Sequence, residues 1–118
     1  MRLTIACAVL AVALAALAPS AGAHPAGAAA KGCSRGDERS YGTTYVTAIS
    51  VSNTSCRNGR SLIRAYHACR PGKSGKCSSV KGYSCSERRY NKGRTSYDSD
   101  VTCHKGGKTI KHTYVQWI

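Results

Sequence analysis

The sequence predicts an α+β fold: one helix packed on a mostly antiparallel sheet of about four strands, stapled by disulfides. Three observations carry that prediction. Residues 50–69 join a hydroxyl-rich start to an apolar stripe at helical spacing. Elsewhere, short runs of tyrosine and β-branched residues alternate with polar ones and are separated by glycine. Seven cysteines, the first of them in an apolar leader, leave an even set of six.

Taken in order, residues 1–23 read as a signal peptide. Met1-Arg2 supplies a positive start, residues 3–17 are apolar, and Ala21-Gly22-Ala23 matches a small-residue cleavage pattern. The apolar run is about 15 residues, short of the roughly 20 that a membrane-spanning helix needs, and no stop-transfer charges follow. Cys7 leaves with this segment. Residues 24–32, rich in Ala, Gly and Pro at the start, form a flexible lead-in, and residues 33–118 form a single disulfide-bonded domain.

Cys33 anchors a polar, turn-like stretch that ends at Gly42. Residues 43–51 alternate as a strand, with Tyr45, Thr47, Ile49 and Val51 on one face and Val46, Ala48 and Ser50 on the other. A helix then runs to residue 69, with Thr54 or Ser55 as the N-cap. At 3.6 residues per turn, Cys56, Gly59, Leu62, Ile63, Tyr66 and Cys69 share a face, and Arg57, Arg60 and Arg64 line its flank. Gly59 costs about 1 kcal/mol against alanine inside a helix, so a small residue there suits the close approach of a strand or a disulfide. Pro71-Gly72 stops the helix, with Arg70 beside its negative end.

The loop 70–76 is short enough for Cys69 to pair with Cys77. Residues 80–85 read as a second strand, with Tyr83 and Cys85 facing inward. Residues 86–96 follow as a basic hairpin connection. Residues 97–104 and 109–117 are strands joined at Gly106-Gly107, which sets Cys103 opposite Ile110, Val101 opposite His112 and Ser99 opposite Tyr114. That register makes one face mostly apolar and the other, with Thr102, His104, Thr109, Lys111 and Thr113, polar.

After loss of Cys7, Cys33, Cys56, Cys69, Cys77, Cys85 and Cys103 remain, and they read as three disulfides in an exported chain. Cys56 on the helix stripe is expected to reach Cys85 or Cys103, leaving Cys33 for the other. The chain has no Phe, so tyrosine supplies much of a modest core, and disulfides at roughly 2–4 kcal/mol each are a large share of net stability. Paired C-x-x-C knuckles are lacking, which argues against a metal. No cofactor is expected.

The formal charge is +13, falling to +12 without Arg2. Such an excess on an exported monomer draws polyanions or acidic protein surfaces. Arg88, Arg89, Tyr90, Lys92 and Arg94 place cations around a ring in the 86–96 connection, a composition suited to phosphate contact and stacking, and Arg57, Arg60 and Arg64 extend it along the helix. A small hydrolase or nuclease would draw on His67, His104 or His112 with Glu87, Asp98 or Asp100. Yet no nucleophile–base order, H-E-x-x-H or phosphate-cradling glycine loop is present. His104 reads as an exposed residue near a turn, His112 as a core-edge residue and His67 as a packing residue. Asn53-Thr54-Ser55 fits a glycosylation sequon but serves better as a helix cap.

Several motifs together resemble a family. Ser55-Cys56, Arg60, Ile63-Arg64-Ala65-Tyr66-His67 and Cys69-Arg70 form one block, and Gly82-Tyr83-Ser84-Cys85 another. Tyr97-Asp98, Val101-Thr102-Cys103, Gly106 and His112-Thr113-Tyr114 close the chain, and Cys33 opens it. The pattern is similar to that of small, secreted, basic six-cysteine bacterial proteins that have no assigned activity. Asp100 departs from it, and family members often carry denser Arg/Lys clusters. The resemblance implies export and a shared fold, and brings no catalytic residue. The expected function is non-enzymatic binding of an anionic partner, a cell-envelope polymer or nucleic acid. The alternative is an inhibitor or interaction partner of another secreted protein.

Overall fold

The computed structural model describes residues 29–35 and 40–118; residues 1–23, expected as a signal peptide, and most of the expected lead-in at 24–32 lie outside the described residues. Seven β-segments and one helix follow in the order β1 (Lys31–Gly32), β2 (Ser40–Tyr41), β3 (Thr44–Ser52), α1 (Cys56–Cys69), β4 (Ser79–Val80), β5 (Tyr83–Tyr90), β6 (Ser96–Lys105) and β7 (Lys108–Trp117). All pairings are antiparallel. The sheet order is β1-β3-β7-β6-β5-β4, with β2 also paired to β3. The sheet is therefore six strands wide instead of about four. β3, β6 and β7 match expected strands and β5 is displaced from the expected one; β1, β2 and β4 are two residues each, too brief to leave an alternating pattern.

The β6–β7 hairpin has the register that its glycine turn dictates, with Cys103 opposite Ile110, Val101 opposite His112 and Ser99 opposite Tyr114. Gly106 takes φ +57°, as such a two-residue turn requires. Two other expectations change. Residues 80–85 are not one strand: Lys81 and Gly82 both have positive φ and reverse the chain, pairing Val80 with Tyr83. The following strand then continues to Tyr90, so the connection to β6 is only residues 91–95. In β3, a bulge between Val46 and Ala48 shifts the alternation, so that Thr44 and Val46 point inward before it and Ile49 and Val51 after it. The single face drawn from Tyr45 to Val51 is broken there, and Tyr45 and Thr47 are exposed.

α1 packs on one face of the sheet. Ser55 is its N-cap and accepts from the Asn58 N–H at 3.1 Å. The stripe buries Gly59, Leu62, Ile63 and Tyr66 against Val46, Val51, Val101, Ile110 and Tyr114. Each fully buried aliphatic side chain contributes about 1.5–3 kcal/mol. Gly59 is where the strand comes close: a Cβ there would lie 2.7 Å from Val51 Cγ1.

Three disulfides close the structure. Cys69 bonds Cys77 across the short loop, as expected. Cys56 bonds Cys33, and Cys85 bonds Cys103, so the expected bridge from the helix to Cys85 or Cys103 does not form. Register decides this. With β5 continuing to Tyr90, Cys85 sits directly opposite Cys103 on the neighbouring strand. β1 meanwhile pairs with the end of β3, and the Cys33 N–H donates to the Ile49 carbonyl at 2.9 Å, which sets Cys33 beside the helix start. No helix of the described residues is long and apolar enough to cross a membrane.

Candidate functional site

The eight cationic and aromatic candidates do not form one patch. Arg57, Arg60 and Arg64 lie along α1, where Arg60 also donates to the Ser34 carbonyl at 3.0 Å. Arg88, Arg89 and Tyr90 end strand β5 instead of lying in a loop, so they alternate across the sheet. Arg88 and Tyr90 point to the face opposite the helix. There Arg88 pairs with Asp100 at 3.2 Å and lies over the Tyr90 ring at 5.3 Å, while the Tyr90 hydroxyl donates to Asp100. Lys92 and Arg94 are exposed in the 91–95 turn.

Arg89 points inward and is part of the fold. Its side chain is 14% exposed and pairs with Glu87, donates to the Ser74 and Gly75 carbonyls at 2.7 and 2.8 Å, and covers the Tyr97 ring at 4.4 Å. Its guanidinium is engaged within the fold, unlike the exposed loop position expected of it as an anion-binding candidate. Glu87, 1% exposed in its side chain, also accepts from Tyr66 and Tyr114, each at 2.6 Å. Burial pushes the Glu87 carboxyl up, but the bonds from Tyr114, Tyr66 and Arg89 outweigh it and hold the group below its ordinary range. Burial and the same carboxylate raise both tyrosines well above theirs.

A second buried group sits beside it. Arg70, the C-cap of α1, donates to the carbonyls of Gly75 and Lys73, the Tyr97 hydroxyl, Gln116 Oε1 and His67 Nδ1. Arginine has no acceptor, so His67 carries its proton on Nε2 and donates it to His112 Nε2, 3.0 Å away. His112 is thereby the Nδ1–H tautomer, and that buried N–H has no partner among the described residues. Burial, then the Arg70 charge, lowers His67 to about 3; burial, then His67 and Arg70, takes His112 well below its ordinary value. These imidazoles are neutral, weakly basic parts of the core, as their sequence positions suggested. His104 is exposed and contacts Thr109 Oγ1 at 3.1 Å. No His, Cys, Asp or Glu group of three or more is arranged to hold a metal among the described residues.

Sequence reasoning missed Arg70, Glu87 and Gln116 as core members. The alternation that placed Cys85 and Tyr114 inward extends by two residues to Glu87 and Gln116, and that was the available signal.

The charges separate by face. Of the three described side-chain carboxylates, Glu87 is buried, and Asp98 and Asp100 lie on the face away from the helix, bound by Asn91 and by Arg88, Tyr90 and Thr113 respectively. The helix side carries Arg57, Arg60, Arg64, Lys73, Lys81 and Lys105. Lys81 donates to Ser61 on α1 at 2.9 Å, and Lys105 lies over the inward Tyr83 ring at 5.7 Å. No exposed acidic side chain interrupts that side among the described residues. Comparison with protein families, curated proteins and solved structures finds no match to this chain.

Proposed function

We propose that this chain is an exported, non-enzymatic binding domain for an extended anionic partner, a cell-envelope polymer or nucleic acid, which lies across the helix side. The carrying observation is the separation of charge among the described residues: cations on the helix side with no exposed described acid beside them, and both sheet-surface aspartates on the other. A polyanion on that side meets mainly cations among the described residues, and the two sheet-surface aspartates that would repel it lie on the other face. The leader at residues 1–23, the six paired cysteines and the resemblance to small secreted basic bacterial proteins support export.

Elution from immobilised heparin and binding to duplex DNA, each across a salt series, test this reading. The triple variant R57Q/R60Q/R64Q is expected to elute at lower salt and to flatten the log K–log salt slope, which decreases by about 0.9 for each duplex phosphate no longer neutralised. K111Q, on the opposite face, is expected to change the slope far less. Equal effects from the two variants would refute a helix-side surface, and salt-independent retention would refute the electrostatic reading.

A second reading, docking to another exported protein, draws on Trp117 and Tyr45. They are 59% and 38% exposed on the face away from the helix. Capture that survives high salt and is abolished in W117S would favour it.

A further inference from the structure

Beside the C-terminal end of α1 opens a cleft of about 540 Å³, within the size range of small-molecule sites. Tyr41 and Ala68 give it apolar walls; Arg64, Arg70 and Lys73 give it charge. No carboxylate lines it among the described residues. The charge on its floor is of an unusual kind. Arg70 is 7% exposed, and every acceptor around its guanidinium is neutral: two carbonyls, a phenol, an amide oxygen and an uncharged imidazole. The buried carboxylate of this region, Glu87, is engaged with Arg89. One positive charge is thus held in a low-dielectric site with its hydrogen bonds met and no carboxylate bonded to it.

That combination selects a ligand. All five guanidinium N–H groups are directed at protein acceptors, so a doubly hydrogen-bonded phosphate is not what the floor offers. A single negative charge gains from the field alone, and the apolar walls reward a hydrophobic body behind it. The partial negative charge at the helix end opposes an anion, but the Arg70 N–H caps the Tyr66 carbonyl at 3.2 Å, and a full guanidinium charge outweighs about half a charge. We propose that this cleft binds an amphipathic organic carboxylate, its charge near Arg70 and Lys73 and its apolar body against Tyr41 and Ala68. This site borders the polyanion surface proposed for the helix flank, with Arg64 common to both, and differs from it in its apolar walls and buried floor charge.

Calorimetric titration of the oxidised protein with 2-naphthoate, and with 2-naphthalenemethanol as its neutral counterpart, tests the proposal. Naphthoate is expected to saturate one site and to bind at least about tenfold more tightly than the alcohol. A68W, which fills the cleft from an exposed helix position, is expected to weaken naphthoate about tenfold while its elution from heparin stays that of the parent. A parental unfolding midpoint reports an intact fold, and the unchanged elution separates this site from the polyanion surface. K73E keeps the backbone carbonyl that Arg70 and Tyr97 use, and is expected to weaken naphthoate and leave the alcohol unchanged. If A68W loses its fold, K73E decides alone. Absence of saturable naphthoate binding, equal affinity for the alcohol, or parental naphthoate affinity in folded variants would each overturn the proposal.

Discussion

Glu87 bears more of the fold than any surface ion pair, because three donors converge on one buried carboxylate: Tyr66, Tyr114 and Arg89. E87Q leaves the Arg89 guanidinium buried without its counter-ion, and is expected to cost about 3 kcal/mol in denaturant unfolding. Y66F removes one neutral donor and is expected to cost only about 1 kcal/mol. The histidine pair makes a different prediction. Unfolded imidazoles take up a proton near pH 6.5, whereas folded His67 does so only near 3 and His112 well below its ordinary value. As pH falls below 6.5 the unfolded chain therefore binds protons first, and stability drops by about 1.4 kcal/mol per pH unit for each histidine until the folded values are reached. Glu87, with a lowered folded pKa, adds stability that is present above its unfolded value and lost as the pH falls through the folded one. Denaturant midpoints between pH 7 and 5 isolate the histidines, and H67Q/H112Q is expected to flatten the curve in that window.

Among the elements, α1 and the β6–β7 hairpin are legible in the sequence because each is written in a local period. The N-cap, stripe and turn glycines lie within a few residues of the positions they control. What escapes is non-local or single-residue. The β3 bulge adds one residue, and a period-2 pattern carried across it assigns every earlier side chain to the wrong face. Lys81-Gly82 lacks the Asn-Gly form that marks such turns, so β5 reads as ending early, and three of the cationic and aromatic candidates then fall in a loop. The polar core is hidden because a glutamate or arginine among alternating residues reads as surface until its partners on other elements are known. Gly59 shows the helix and strand fitted together. G59A gains up to about 1 kcal/mol of helix propensity, but its methyl meets the stiff Val51 side chain. A net loss of about 1 kcal/mol is expected, checked by thermal unfolding. In G59A/V51A that clash is relieved, so the two changes are expected to be non-additive.

For the whole molecule, the disulfides close loops of unequal length, with sequence separations of 23, 8 and 18. Loop-closure entropy assigns about 3.4 kcal/mol to Cys33–Cys56 and about 2.5 to Cys69–Cys77. Paired alanine replacement is therefore expected to lower the unfolding midpoint more at the first bridge than at the second, measured in otherwise oxidised protein. The staples matter because one helix covers only one side of the sheet, so a single thin apolar layer supplies the core. Strand order carries one more consequence. β7 is the last strand along the chain, yet it lies between β3 and β6 and joins the two halves of the sheet. Without it, β1–β3 and β4–β6 pair only within their own halves, and nothing joins the two. A truncation that removes residues 108–117 is therefore expected to leave two half-sheets with raw edges at β3 and β6 in place of a shortened protein.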